Sequence, residues 1–170
     1  SMWPTVERAL EFVLSLRRGD GVALWAIEPD DRPWNYALMT GTSSIQHAPR
    51  CGAQLADALN DPKPHWRRSA DEMTEAVRTR PDAFEPKRRW AMDWYYPVLT
   101  GALMGHEAKA RMADGWDTFV MEGLGIRCVS DEPWVTASET AECALAFAAI
   151  GDLSTATDLL RWTRTHRRDD

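Results

Sequence analysis

The sequence holds few of the residues that usually announce a chemistry. Three cysteines in 170 residues, Cys51, Cys128 and Cys143, are too few for a disulfide framework. There is no Cys-x-x-Cys, His-Glu-x-x-His, glycine-rich phosphate loop or serine elbow. The common sequence marks of redox, zinc-protease, nucleotide and serine-hydrolase sites are therefore missing. No apolar run reaches membrane-spanning length and no signal segment opens the chain, so a cytoplasmic, non-spanning protein is expected. Positive charge is also short: 20 Lys and Arg face 26 Asp and Glu, a formal net charge of −6. The basic clusters, Arg17–Arg18, Lys87–Arg89 and Arg167–Arg168, are too small to neutralise phosphates over a wide surface, which excludes nucleic acid as the main partner.

What the chain does have is tryptophan, nine in all. Several stand beside acids and prolines in expected loops, where a large flat side chain often lines a pocket. One pattern recurs three times. It reads W-N-Y-A-L-M-T-G at Trp34–Gly41, W-Y-Y-P-V-L-T-G at Trp94–Gly101 and W-V-T-A-S-E-T-A at Trp134–Ala141. Such self-similarity predicts stacked, similar units.

Apolar spacing predicts helices over Val6–Arg17, Tyr36–Leu59, His65–Arg80, Trp94–Met104, Glu107–Val120, Val135–Ile150 and Asp152–His166. Pro4–Thr5 opens the first, Gly19 and Gly21 stop it, and Asp152–Thr155 reads as the start of the last. Pro49 is expected to interrupt the second. The connections Asn60–Lys63, Gly105–His106 and Gly151 are short, whereas Arg18–Pro33, Pro81–Asp93 and Glu122–Pro133 are long. Short and long connections alternate, so stacked helical hairpins would gather the long loops and the following helix N-termini on one face. Loops on a rigid frame carry function more often than the frame does, which places the expected site there. The whole chain, residues 1–170, is read as a single all-α domain of helical hairpins.

Candidate site residues follow from that face. Asp93, beside Trp94, Tyr95 and Tyr96, could protonate a leaving group while the rings stack on a sugar or shield a cation; it could equally cap a helix. Asp131 and Glu132, before Pro133–Trp134, could supply a second carboxylate for acid–base work or follow the capping rule of the repeat. Trp34, Tyr36, Trp94, Tyr95, Tyr96 and Trp134 are the expected substrate-contacting aromatics. Glu139 and Glu142 lie in an alanine-rich helix, where an inward glutamate is costly unless paired or functional; Arg127 is the partner expected for such a glutamate, and Arg127 and Glu139 are equally read as substrate contacts. His47 and Cys51 sit four apart and would suit zinc only with further ligands, so no metal and no cofactor is expected.

At Trp94–Gly101, Arg127–Trp134 and Glu139–Gly151 the sequence resembles the helical-hairpin toroid proteins, above all the actinobacterial prenyltransferase and squalene-cyclase-like repeat proteins. Six-hairpin glycosidases share the double-ring architecture and are the rival. The resemblance spans roughly residues 5–170 and implies an (α/α) toroid, or an arc of one, since three hairpins and the arm of another are counted where a ring has about six. An incomplete ring, as a fragment would be, either binds poorly alone or closes by pairing with a second chain as a homodimer. The leading function so implied is isoprenoid handling in an aromatic, acidic pocket. The alternatives are a glycan hydrolase with paired carboxylates and a non-catalytic helical scaffold or ligand-binding module. The zinc-binding Asp-x-Cys pair and the cyclase Asp-x-Asp-Asp motif of the first group are absent, and Asp169–Asp170 ends the chain before an Asp-Gly-x-x-Trp stretch can form. Only the texture of the repeat therefore carries over.

Overall fold

A computed structural model describes residues 2–167 of the chain. The readings that rest on Arg168, Asp169 and Asp170 fall outside the described residues. The protein is mostly helical, as the spacing predicts, and its contacts separate into two compact units, Ser1–Pro86 and Lys87–Asp170.

The first unit holds α1 (Trp3–Ser15), α2 (Met39–Ala58) and α3 (Pro64–Thr79). Leu10 of α1, Ala53 and Ala56 of α2 and Trp66 of α3 form its small apolar cluster, with Trp3, Val6 and Leu14 against it. Gly52 permits this closeness, because a Cβ there would overlap Leu10 Cδ1 and lie 3.2 Å from the Trp66 ring. The fully buried Trp66 donates its indole N–H to Glu11 at 2.7 Å, so the polar edge of the ring is satisfied.

The second unit holds α4 (Ala91–Leu99), α5 (Gly105–Phe119), α6 (Ala137–Ala149) and α7 (Leu153–Trp162). Its core joins Ala91, Trp94, Tyr95 and Val98 of α4 to Met112 and Phe119 of α5, Cys143 and Phe147 of α6, and Leu159 of α7. Trp94 stacks on Phe119 with ring centroids 5.5 Å apart and donates to the Arg111 carbonyl at 2.7 Å. Pro97 inside α4 cannot give the backbone N–H that the Asp93 carbonyl would normally receive. Arg111 supplies the replacement: Nη2 donates to the Asp93 carbonyl at 2.6 Å and Nε to the Trp94 carbonyl at 2.9 Å.

The expected loop Glu122–Pro133 is only partly a loop. Three antiparallel strands, β1 (Val120–Met121), β2 (Gly125–Arg127) and β3 (Val135–Thr136), pair in that order. They are too short for an alternating pattern to show in sequence. The first unit has a reduced version, with single bridges Arg17 to Ala23 and Leu24 to Ala37. In each unit a fully buried threonine on the following helix accepts a strand N–H: Thr42 from Ala23 at 3.1 Å and Thr140 from Ile126 at 2.9 Å.

The tryptophans that mark the sequence pattern do not occupy equivalent places in the structure. Trp34 precedes α2 by five residues, Trp94 lies inside α4, and Trp134 stands just before β3. The helix ends correspond better. Asn60, Gly101 and Gly151 each stand two residues past the end of α2, α4 and α6 in the left-handed conformation. For α2 and α6 the bonds Asp61 to Ala56 and Asp152 to Phe147 complete the same C-terminal motif. Gly41, matched in sequence to Gly101, is instead in the first turn of α2. On α7, Ala156 and Leu159 are buried whereas Leu153 and Leu160 are exposed.

Candidate carboxylate site

The second unit brings together two glutamates, two tyrosines and a thiol. Thr136 caps α6 by accepting the Glu139 N–H at 3.1 Å, which fixes the first turn and sets Glu139 at its third position. Glu142 follows one turn later, so both acids share a side of α6. Tyr95, wholly buried on α4, donates its hydroxyl to Glu142 Oε2 at 2.7 Å. Tyr96 donates to Oε1 of the same carboxylate at 3.3 Å. Each oxygen of Glu142 thus has its own phenol, and the carboxylate is held in one orientation.

The electrostatics follow from burial. Desolvation pushes the Tyr95 hydroxyl far above the ordinary phenol range, and its hydrogen bond to Glu142 adds to that. Tyr96 is raised by the same burial and by the Glu142 charge. Both phenols therefore remain neutral donors. The Cys128 thiol, just beyond β2, is raised first by burial and then by the charge and hydrogen bond of Glu139. Cys143 is raised by burial alone and belongs to the core.

A loop frame surrounds this group. The Ala91 N–H, at the start of α4, donates to the Cys128 carbonyl at 3.1 Å, and the Cys128 N–H donates to the Trp134 carbonyl at 2.8 Å. The Ser130 N–H donates to the Arg89 carbonyl at 2.9 Å. The Arg89 guanidinium lies 5.3 Å from the Trp90 ring centre and pairs with Asp131 at 2.8 Å. That pairing holds the Asp131 carboxyl below its usual range. Trp90 and Trp134 both present large exposed ring surfaces.

The sequence candidates separate accordingly. Asp131 is an exposed ion-pair partner, and Glu132 beside it is half-buried. Asp93 is in the first turn of α4 and lines a cleft of about 480 Å³ with Trp90, Arg88, Arg111 and Asp114. Asp93 is not the cap expected of a helix starting at Trp94: α4 begins at Ala91, Trp90 holds the cap position without a side-chain cap bond, and Asp93 sits inside the first turn, where its charge faces the helix N-terminus. Trp94 is a core residue with 6% of its surface exposed. Arg127 donates to the Ser130 carbonyl at 3.2 Å, and its buried Nε has no hydrogen-bond partner. Trp34 and Tyr36 belong to the first unit: Trp34 is exposed, and the Tyr36 carbonyl accepts from the Trp25 N–H at 2.8 Å. His47 and Cys51 do approach, with Nε2 and Sγ 3.4 Å apart, but among the described residues no group of three possible metal ligands gathers. The sequence marks Glu142 as a costly residue and Tyr95 and Tyr96 as substrate-contacting aromatics, but not that the two phenols hold that carboxylate; adjacent tyrosines facing an alanine-rich helix were the available signal.

Among the described residues no helix is long and apolar enough to cross a membrane. No family model matches the chain. Over 156 residues, 92% of this chain, the sequence is 47% identical to a protein of Mycolicibacterium hassiacum named MMP endo-(1,4)-3-O-methyl-alpha-D-mannosidase. The chain spans 43% of that protein's length. The similarity favours the glycan alternative over the isoprenoid expectation, for which neither the comparison nor the residues give support.

Proposed function

We propose that this chain carries part of the catalytic surface of an endo-acting glycoside hydrolase whose substrate is an α-(1,4)-linked chain of 3-O-methylmannose. The substrate class is taken from the name of the 47% identical relative. The observation that carries the reaction class is the Glu139–Glu142 pair, with Glu142 held by two phenols. Glycoside hydrolysis needs one carboxyl group to exchange a proton with the glycosidic oxygen and one to face the oxocarbenium-like transition state.

Glu142, fixed by Tyr95 and Tyr96, suits the second role, because a carboxylate that need not reorient stabilises developing positive charge at little reorganisation cost. Glu139, one turn nearer the helix start, suits proton exchange. Trp90 and Trp134 suit the faces of sugar rings, and O-methyl groups enlarge the apolar surface such rings offer. Asp93, Asp131 and Glu132 remain in the proposal as residues around the reacting pair, and the helical hairpins as an arc of an (α/α) toroid within a single domain.

The test is release of new reducing ends from such oligosaccharides by the 170-residue chain. Glu142→Gln and Glu139→Gln should each lower the rate by about 10²–10⁴-fold, the usual contribution of a positioned acid or base. Rates within about threefold of wild type in both variants, with folding intact, would remove the pair from the chemistry.

A further inference from the structure

A second feature of this unit contains none of the residues of the glutamate–tyrosine group. Trp116 on α5 and Trp162 at the end of α7 line a groove of about 490 Å³. Asp117, Glu122, Thr155 and Asp158 supply its polar wall. Trp116 meets Phe147 edge-on at 5.5 Å, which anchors that indole in the core and fixes the plane it presents. Past Trp116 a further cleft of about 500 Å³ continues toward Gly151 and Asp152. Asp158 is already bonded to Arg161 at 2.6 Å. The Asp117 and Glu122 side chains have no hydrogen-bond or ion-pair partner among the described residues. None of these groups assembles into a metal-binding cluster among the described residues.

Two half-buried indoles with carboxylates between them match one ligand chemistry well. A saccharide has apolar C–H faces that lie on aromatic rings and hydroxyls that donate to carboxylates. The groove falls within the usual size range of small-molecule sites. Its net negative wall disfavours phosphates and other anions. A partly methylated sugar chain has both surfaces it requires: methyl groups against the indoles, and free hydroxyls toward the acids.

We infer that the Trp116–Trp162 groove is a second saccharide-binding site, which holds a partly methylated sugar chain away from the glutamate pair. The inference rests on the glycan reading proposed above. It assigns the groove to binding alone, so an endo-acting enzyme would keep hold of a long chain between cleavages at the other site.

The experiment is calorimetric titration of the full chain with a tetrasaccharide of α-(1,4)-linked 3-O-methylmannose, with its unmethylated counterpart as comparison. The variants are Asp117→Asn combined with Glu122→Gln, both exposed positions, and Glu142→Gln at the other site. Trp162→Ala is the second groove variant, checked by circular dichroism. The double variant should weaken binding of the methylated probe by about tenfold or more, since hydrogen bonds to charged acceptors are lost. Trp162→Ala should weaken it by a similar factor, and the unmethylated probe should bind less tightly. Glu142→Gln should leave groove binding in place. An unchanged affinity in both groove variants, or no wild-type binding at millimolar probe, overturns the inference. If Glu142→Gln alone abolishes binding, the groove assignment fails and the glutamate reading stands. If hydrolysis survives both glutamate variants while the groove variants lose binding, the reverse holds.

Discussion

Gly115 on α5 separates local helix preference from tertiary packing. Glycine in a helix costs about 0.5–1 kcal/mol relative to alanine, so Gly115→Ala would stabilise the protein if only the helix mattered. The structure reverses the sign. A Cβ at Gly115 would overlap the Trp94 indole, 2.5 Å from Cδ1 and closer still to Nε1 and Cε2. The indole cannot swing aside freely, because Phe119 stacks on it and its N–H is committed to the Arg111 carbonyl. Overpacking of this kind costs about 1–3 kcal/mol, and a strained or lost hydrogen bond adds about 1 kcal/mol. After the helix gain is subtracted, a net loss of about 1–3 kcal/mol is expected. Gly41→Ala in the first turn of α2 is the control, since its Cβ would meet only Leu38 Cβ at an ordinary 3.7 Å. It should gain up to about 1 kcal/mol. Urea denaturation of both variants, followed by tryptophan fluorescence and far-ultraviolet circular dichroism, reads the difference. Trp94 also packs on Tyr95, so Gly115→Ala should disturb the Glu142 hydrogen bond as well. A Gly115→Ala protein at least as stable as wild type would refute the packing argument.

Two further outcomes follow from the same unit. Arg111→Met keeps an apolar stem but removes the donors to the Asp93 and Trp94 carbonyls, and should cost about 2–4 kcal/mol in chemical denaturation; adding Pro97→Ala, which restores a backbone donor to Asp93, should recover part of that loss, and strictly additive effects would count against the replacement. The Cys128 thiol is held above the ordinary 9.0 by burial and by Glu139, so its thiolate forms only at more alkaline pH and its alkylation by iodoacetamide should rise above pH 9. Glu139→Gln removes the negative charge and should shift that rise to lower pH, read by mass spectrometry of the Cys128 peptide; an unmoved profile would show that the carboxylate does not act on the thiol.

The longer helices were legible because they have apolar residues at helical spacing over three turns or more, and because proline, glycine and asparagine mark their ends. Ala70, Met73, Ala76 and Val77 on α3 are buried as their spacing requires. The strands were not legible, since segments of two or three residues hold no period. Their position is fixed by distant partners such as Thr140 and Thr42. The tryptophan-led repeat misled for a related reason. An indole is equally at home in a core and on a rim, and only the opposing surface decides which. Trp94 found Phe119 and the Arg111 carbonyl, whereas Trp34 and Trp134 remained exposed. The acids divided in the same way. Sequence alone determined that carboxylates would stand near the starts of helices, because turn and cap chemistry is local. Which carboxylate would be held by the buried Tyr95 and the half-buried Tyr96 was decided by the packing of α4 against α6, which brings residues 47 and 46 positions apart within hydrogen-bond distance.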